Sequence, residues 1–457
     1  MQSTILMTLL LLACASPAPD PDAPQRAWPD PADTVGVADA SGLPVSPVVA
    51  TARPPLYVPP AWTAPPPVPI ACPAAVTVPS DPYDASAVPV AADAHAEVYG
   101  AAEPPRHLRV QWVGDPSTAL AVVWRTDSET LSSVVQVGTD AGGFATIYGA
   151  SFPLSPEPED GRVHEVRICG LLPGTEYVWR VGGAGHWSAD QRATTAPPPG
   201  SAGPFRFAVA GDSRDGYDTW AAVLAGIAAE GVSFRMLTGD AVARGDDVAQ
   251  WGEWLDAGVG FEEVVPTVMI NGNHESLAFP FLALNALPGN ERTFSFDYAN
   301  AHFIVLNDTV VSSEEWSTQS VWLAADLAAT TQPWRFVFHH KPAFTDASHP
   351  PDANVRAWFV PVEEAGGVAI DFAGHNHNYE RSVPIMGGVE APPEAGVTYV
   401  VSAGAGAPLY ENYGPSATMA VGVSVNHYVV VAVDGSQLEL TATDLAGNVI
   451  DRYTMTR

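Results

Sequence analysis

Residues 368–381 read VAIDFAGHNHNYER, and this stretch is the most informative about the fold. Its first six residues form a largely apolar run of the kind found in buried strands. The run ends at Gly374, and His375 and His377 follow at once. Open α/β sheets bind their ligands just beyond the carboxyl ends of their strands. We therefore expect both histidines to face a functional site at one edge of such a sheet.

Four further strand-like runs end in the same way, each in a loop with side chains that can bind metal. They read FRFAVAGDSRD at 205–215, SFRMLTGD at 233–240, PTVMINGNHE at 266–275 and WRFVFHHKP at 334–342. The candidate ligands in these loops are Asp212, Asp240, Asn273, His274, His339 and His340. A single histidine is more often a core or surface residue than a ligand. Five such loops, each after a strand, instead predict one shared site.

The order GD, GD, GNHE, H-x-P and GHxH resembles that of the metallophosphoesterase superfamily. Within it, GHNHNYERS at 374–382 is similar to the purple acid phosphatase branch. The resemblance implies an α/β catalytic domain of the αββα type, in which two packed β-sheets are flanked by helices. It also implies a preceding β-sandwich of the fibronectin type III kind, and hydrolysis of phosphate esters at a centre of two metal ions.

The resemblance assigns metal ions to six of these residues. The first ion would be bound by Asp212 and His377, and Asp240 would bridge both ions. The second ion would be bound by Asn273, His340 and His375. Nitrogen and oxygen donors of this kind suit iron, manganese or zinc.

His340 is preferred to His339 because it stands two residues before Pro342, which is the family spacing. Alternation along the strand then turns His339 to the opposite side. The resemblance also implies that His274 contacts phosphate and helps to protonate the leaving oxygen. His349 matches a second family position that approaches the substrate, although an exposed loop histidine beside two prolines would give the same sequence.

The sequence departs from the family pattern at the first metal ion. Purple acid phosphatases have a tyrosine three residues after the bridging aspartate, and Ala243 stands there. Other members of the superfamily have a histidine two residues after the first aspartate, and Arg214 stands there. A guanidinium stays protonated and cannot ligate metal. Arg214 would instead grip a phosphate oxygen, or form a salt bridge with Asp215 or Asp246.

The N-terminal part of the chain divides by composition. Residues 1–14 form a short apolar run followed by small residues, which is typical of an export signal and resembles a lipoprotein cleavage box ending at Cys14. Residues 15–104 are rich in proline and alanine and predict a disordered linker. Cys72 within it could pair with Cys169, or both thiols could stay free.

Residues 105–196 show short alternating strands separated by turn residues, which indicates a β-sandwich. The stretch LPGTEY at 172–177 resembles the tyrosine corner of fibronectin type III domains. Residues 204–457 form the predicted catalytic domain. In it, apolar spacing predicts a helix from Asp218, as its cap, to Glu230. The last residues predict antiparallel strands that turn at Gly435 and Gly447.

The formal net charge of −31 argues against a surface that binds nucleic acid or anionic lipid. A small phosphate ester is the expected partner, because bound metal ions reverse the local charge of an acidic protein. No protein partner is evident, and the only expected membrane contact is a lipid on Cys14. The sequence contains one lysine, Lys341, inside the H-x-P loop.

We therefore expect an exported, acid phosphatase-like hydrolase of phosphomonoesters. It would be secreted, periplasmic or lipid-anchored at the surface of a bacterium. One alternative is a phosphodiesterase or nucleotide hydrolase with the same fold. The other is a surface binding protein that lost its activity together with a ligand to the first metal ion.

Overall fold

The computed structural model describes residues 68–73, 77–79, 87–89, 98–100, 104–140, 144–183, 185–414 and 416–457. The predicted export signal, Cys14 and most of the predicted linker lie outside the described residues. Among the residues described, no helix combines the length and the apolar character that crossing a bilayer requires.

The N-terminal region is a β-sandwich, as predicted. Its strands are β1 Ile70–Ala71, β4 Arg106–Gln111, β5 Ala119–Thr126, β6 Val134–Gly138, β7 Phe144–Tyr148, β8 Ala150–Pro153, β9 Arg162–Cys169, β10 Glu176–Val181 and β11 Gln191–Thr194. Strands β2 Thr77–Pro79 and β3 Ala87–Pro89 form a separate two-stranded ribbon. One sheet has the order β1-β9-β5-β4, with β8 also paired to β9, and the other has the order β11-β10-β6-β7. The Tyr177 hydroxyl accepts a hydrogen bond from the Leu172 amide at 3.2 Å, so the predicted tyrosine corner is present.

Part of the segment predicted as a disordered linker belongs to this sandwich. Ile70 and Ala71 pair with Cys169 and Ile168 of β9, and Ile70 is buried. A disulfide joins Cys72 to Cys169, whose Cα atoms lie 4.8 Å apart. The prediction for residues 15–104 was therefore wrong at residues 70–72. The composition of this segment could not show a contact with a cysteine 97 residues further along the chain.

The sheet that contains β4 and β5 lies against the catalytic domain. The Val110 amide donates to the Glu262 carbonyl at 3.1 Å, and the Gln111 side chain donates to the Thr267 carbonyl at 3.3 Å. As a result β5 is buried along its whole length instead of alternating as predicted. The sandwich thus supports the catalytic domain directly.

In the residues that the structure describes, the catalytic domain contains fifteen strands and six helices. Its strands are β12 Phe205–Ala210, β13 Phe234–Leu237, β14 Thr267–Met269, β15 Phe294–Tyr298, β16 Ala301–Val305, β17 Trp334–Phe338, β18 Ile370–Ala373, β19 Tyr379–Ser382, β20 Ile385–Met386, β21 Val389–Glu390, β22 Thr398–Ser402, β23 Met419–Val423, β24 His427–Asp434, β25 Gln437–Asp444 and β26 Val449–Thr456. Its helices are α1 Tyr217–Ala229, α2 Val248–Gly258, α3 Phe279–Ala283, α4 Ser313–Ala329, α5 Ala353–Trp358 and α6 Val360–Gly366.

Most of these strands form two large sheets that pack face to face. Their orders are β14-β13-β12-β24-β25-β26 and β15-β16-β17-β18-β22-β19-β23. Aromatic rings fill the space between them; the ring of Phe207 lies 5.1 Å from that of Phe303 and 5.3 Å from that of Phe336. Helices α1 and α2 contact each other beside the first sheet, and α4, α5 and α6 contact one another beside the second. This is the predicted αββα arrangement.

Parallel pairing brings the carboxyl ends of the important strands to one edge. Strands β12, β13 and β14 are parallel to one another, and so are β16, β17, β18 and β22. The loops after β12, β13, β14, β17 and β18 carry the candidate ligands. The C-terminal hairpins turn as predicted at Gly435 and Gly447, both with positive φ.

Helix α1 differs from the prediction at its start. It begins at Tyr217 and is preceded by Gly216, so Asp218 lies within the first turn and makes no cap hydrogen bond. Its carboxylate still lies at the positive end of the helix dipole, which favours an acid there. The predicted apolar face is buried, and consists of Trp220, Val223, Leu224 and Ile227.

Candidate metal centre

The two aspartates of the GD motifs turn sharply out of their strands. Asp212 has φ of 59° and Asp240 has φ of 54°, a left-handed conformation that Asp tolerates better than most residues. Both carboxylates are buried. Asp212 accepts the His375 amide at 3.0 Å, and Asp240 Oδ1 accepts the His274 amide at 3.0 Å. The loops after four different strands are thereby joined through two carboxylates.

The predicted ligands of the second metal ion lie together. His340 donates from Nδ1 to the Thr238 carbonyl at 2.8 Å, which leaves Nε2 directed at the cluster. That Nε2 lies 3.0 Å from Asn273 Oδ1 and 3.4 Å from Asp240 Oδ1. The rings of His340 and His375 are 5.1 Å apart. A backbone carbonyl on one ring nitrogen is the usual way to orient a histidine toward metal.

The predicted ligands of the first metal ion are also adjacent. His377 donates from Nδ1 to the Pro408 carbonyl at 2.7 Å, and its Nε2 lies 3.5 Å from Asp212 Oδ1. The ring of Tyr410 stacks on that of His377, with 3.9 Å between centroids. His377 therefore faces Asp212 with the nitrogen that would bind metal.

Arg214 extends into this first half of the site. Its Nη2 lies 3.5 Å from His377 Nε2, and its Nε lies 3.8 Å from Asp240 Oδ2. The same side chain forms a salt bridge with Asp215 at 2.7 Å. The alternative partner suggested by the sequence, Asp246, is instead paired with Arg244 at 3.3 Å.

The two histidines predicted to meet the substrate border the cluster. His274 donates from Nδ1 to the Ala243 carbonyl at 2.7 Å, so its Nε2 is free and lies 3.8 Å from Asp240 Oδ2. The side chain of His274 is 31% exposed. The ring of His349 lies 4.4 Å from that of His375. Its amide and carbonyl are both held by the Asn376 side chain, at 2.9 Å each.

His339 lies on the other side of its strand, as the alternation predicted. It is fully buried, and its Nε2 lies 3.0 Å from Asp371 Oδ1. It makes no contact with the candidate ligands. The preference for His340 over His339 is thus consistent with the geometry.

The electrostatics of the cluster suit a cation. Burial lowers the pKa of His375 to about 3 and that of His377 to about 4, so both imidazoles are neutral and able to ligate. Burial also raises the pKa of Asp212 well above its usual value. Burial would raise the pKa of Asp240 too, but His340 and His274 hold it below its usual value. A positive charge among these donors would stabilise both carboxylates.

The donor set and the space around it therefore fit metal. Asp212, Asp240, Asn273, His340, His375 and His377 direct oxygen or imidazole nitrogen atoms at one another. A Cβ atom at Gly272 would lie 2.2 Å from Asp240 Oδ1, and one at Gly374 would lie 2.5 Å from Asp212 Oδ2. Glycine is required at both positions because each backbone passes directly against a carboxylate.

Two positioning residues were not singled out from the sequence. Glu275 is buried and accepts the amides of Asp240 at 2.9 Å, Gly272 at 2.8 Å and Ala241 at 2.7 Å. It fixes the loops after β13 and β14 relative to each other, and burial raises its pKa to about 7. The second is Asn376, which holds the loop of His349. Both stand inside motifs that the sequence displays, GNHE and GHNH, but their side chains bond backbone groups of neighbouring loops instead of facing the cluster.

Comparison with known proteins agrees with this architecture. Residues 205–379 match the family model of the calcineurin-like phosphoesterases, and residues 105–195 match that of the purple acid phosphatase N-terminal domain. A purple acid phosphatase from yellow lupin seeds has a similar fold, with a TM-score of 0.69 at 18% identity over 78% of this chain and 74% of its own. The fold and the site together define a metallophosphoesterase.

Its relatives specify the branch. Purple acid phosphatase 21 of Arabidopsis thaliana is 30% identical over 246 residues, which are 49% of this chain and 54% of that protein. Purple acid phosphatase 18 of the same plant is 28% identical over 57% of this chain and 62% of its own length. The chain spans little more than half the length of these relatives. Residues 105–195 and 205–379 thus resemble the N-terminal and catalytic domains of the purple acid phosphatases.

Proposed function

We propose that this protein is an exported enzyme that hydrolyses phosphate monoesters at a centre of two metal ions. The observation that carries the proposal is the convergence of six oxygen and nitrogen donors from five loops, with the free Nε2 of His274 at their border. Relatives named as phosphatases support a monoester as the substrate. The Cys72–Cys169 disulfide supports export, because structural disulfides persist in oxidising compartments.

The residues of the candidate metal centre would divide between two ions as their positions suggest. Asp212 and His377 lie on one side of Asp240, and Asn273, His340 and His375 on the other. When bound, two ions of iron, manganese or zinc neutralise a phosphate group and lower the pKa of a water molecule near phosphorus. The protein supplies the donors and their orientation.

His274 is suited to transfer a proton to the leaving oxygen. The Ala243 carbonyl holds the proton on Nδ1, so the proton for the leaving oxygen would be a second one carried by Nε2, which faces the cluster beside Asp240. A cavity of about 400 Å³ opens next to it, lined by residues from 243–246 and 273–278. We assign this cavity to the alcohol part of the ester, because it places that part on the side of the proton donor.

Arg214 and His349 are suited to hold the phosphate group from two other sides. The guanidinium of Arg214 is mostly buried and already faces Asp240 and His377. His349 lies beside His375 on a loop anchored by Asn376. A guanidinium donates several hydrogen bonds in a fixed fork, which matches the oxygen atoms of phosphate.

A chromogenic assay with a conservative variant tests the proposal. The metal-loaded protein should hydrolyse nitrophenyl phosphate, and Asp240→Asn should reduce the rate to background because it removes the shared carboxylate. Asp434→Asn is the matched control, since Asp434 is an exposed aspartate at the end of β24 and does not line the cavity beside His274. That control should keep full activity.

The same assay separates the alternatives. Faster hydrolysis of bis-nitrophenyl phosphate than of nitrophenyl phosphate would replace the monoester by a diester. If the metal-loaded protein hydrolysed neither compound, or if Asp240→Asn were as active as the parent, the proposed enzyme activity would be wrong. Phosphate binding without turnover would then indicate a binding protein.

A further inference from the structure

A row of polar side chains crosses the outer face of the seven-stranded sheet. His339 follows β17, Asp371 lies in β18 and Tyr399 lies in β22, where it is the direct partner of Asp371. Apolar side chains pack around this row, among them Val337 of β17 and Phe359, which lies between α5 and α6. Polar groups in such a core require partners, because water cannot reach them.

Helix α6 adds a carboxylate to this row. Glu363 is 0% exposed and lies over the sheet with His339 and Asp371, which are 0% and 1% exposed. One ligand atom from each of these three residues lies within 4.8 Å of the others. His339 Nε2 and Asp371 Oδ1 are already 3.0 Å apart. We call His339, Asp371 and Glu363 the buried triad.

The two carboxylates of the buried triad have few hydrogen-bond donors. His339 donates to Asp371 Oδ2 at 3.1 Å. Among the described residues, neither carboxylate oxygen of Glu363 accepts a well-aligned hydrogen bond, although Asp371 and the Tyr399 hydroxyl lie beside it. No lysine or arginine in the described part of the chain forms an ion pair with Glu363 or Asp371; His339 is the cation beside Asp371. An unpaired, fully buried carboxylate is rare in stable proteins.

We propose that the buried triad binds a divalent metal ion, zinc or manganese, through His339 Nε2 and the carboxylates of Asp371 and Glu363. One imidazole and two carboxylates form a donor set that both ions accept. The ion replaces the proton that His339 and Asp371 share, and that proton leaves to solvent on binding. The carboxyl groups would close to about 2.0–2.2 Å from the ion.

The surroundings of His339 resemble the support of an ordinary metal ligand. Asp308 Oδ2 lies 3.2 Å from His339 Nδ1, on the side away from the triad. A carboxylate in that position fixes the tautomer and directs Nε2 toward the ion. Asp308 also accepts the His340 amide at 3.0 Å. The ion would therefore stiffen the strand end that carries a ligand of the candidate metal centre, without belonging to that centre.

The competing explanation for the two buried carboxyl groups is that Glu363 is protonated. Burial raises the pKa of this carboxyl group well above its usual value, so a neutral Glu363 would also lessen the charge. A protonated Glu363 would donate to Asp371, so a single proton would connect the two carboxyl groups, whereas a metal ion would bind both of them as carboxylates. The two explanations differ in metal content, which can be measured.

Metal counting in a chain with a disabled candidate metal centre tests the proposal. The background is the full chain with Asp240→Asn and His375→Ala, unfolded with chelator, refolded with zinc or manganese, and dialysed. We expect about one ion per chain to remain, and none after Glu363→Gln is added. Glu364→Gln is the matched control, because its side chain bonds the Gly387 amide outside the triad. It should retain the ion.

Equal metal content with and without Glu363→Gln would overturn the proposal, and so would a background protein that retains no ion. Should Glu363→Gln not fold, X-ray absorption of the retained ion in the background protein decides. One imidazole that persists after His340→Ala and His377→Ala are added to the background supports the triad, and its loss on adding them would overturn it. Two imidazoles would assign the ion to His340 and His377 instead. None of these outcomes depends on whether the intact protein hydrolyses phosphate esters.

Discussion

The two halves of the candidate metal centre differ in what surrounds their donors. In the half formed by Asn273, His340 and His375, the donors face one another, and no guanidinium lies between them. In the half formed by Asp212 and His377, the guanidinium of Arg214 lies 3.5 Å from the histidine nitrogen. Ala243 contributes only its carbonyl, to His274. One half is built from donors alone, and the other mixes donors with a fixed positive charge.

This difference indicates how the fold compensates for a missing ligand. A guanidinium near Asp212 and Asp240 offsets part of the negative charge that a first metal ion would otherwise neutralise. It also repels that ion, so affinity in this half should be lower. The same charge is available to a phosphate group. We therefore expect the two halves to differ more in metal affinity than in their importance for turnover.

The largest effect on turnover is expected from a substitution of His274, which borders both halves beside Asp240. His274→Ala should leave the metal ions bound and lower turnover by about 10²–10⁴-fold, the usual range for a positioned proton donor. The loss should be smaller for nitrophenyl phosphate than for an alkyl phosphate, whose leaving oxygen needs the proton more. Loss of both ions, or an equal loss for both esters, would contradict this role.

Arg214→Ala should have the next largest effect. A hydrogen bond to a charged group contributes about 1.5–3 kcal/mol, so KM should rise about 10- to 100-fold. The first half should bind its ion more tightly, because the repelling charge is gone. Arg452→Ala, which removes an exposed arginine paired with Glu439 on the C-terminal strands, is the control. If both KM and metal affinity were unchanged, the only role of Arg214 would be its salt bridge with Asp215.

A smaller effect, outside both halves, is expected at the disulfide. Replacing Cys72 and Cys169 by serine should lower the free energy of unfolding by about 2–4 kcal/mol, because the cross-link no longer restricts the unfolded chain. Metal content and turnover of the folded protein should stay the same. Truncation before Glu103 should act similarly, since it removes β1 and Cys72. Chemical denaturation measures the loss of stability, and a chromogenic assay measures turnover. Loss of activity in a folded variant would contradict the prediction.

The sequence predicted what local patterns encode. Strand ends followed by GD, GNHE or GHNH located the candidate ligands, and the family spacing to Pro342 separated His340 from His339. It could not show contacts made by distant segments, such as β1 with β9. It also missed Glu275 and the buried triad, because a carboxylate in a sequence gives no sign of whether it is buried. The prediction that Asp218 caps α1 was wrong because the sequence does not distinguish an aspartate within the first turn from one just before it.

The central claim, that two metal ions are required and that one is held less tightly, is tested most directly by a chelator titration. Metal content and hydrolysis of nitrophenyl phosphate are measured together, after subtracting any ion retained by the Asp240→Asn, His375→Ala protein. We expect one ion to leave first and activity to fall with it, while the other ion stays bound. Full activity with a single ion, or simultaneous loss of both ions, would contradict the account.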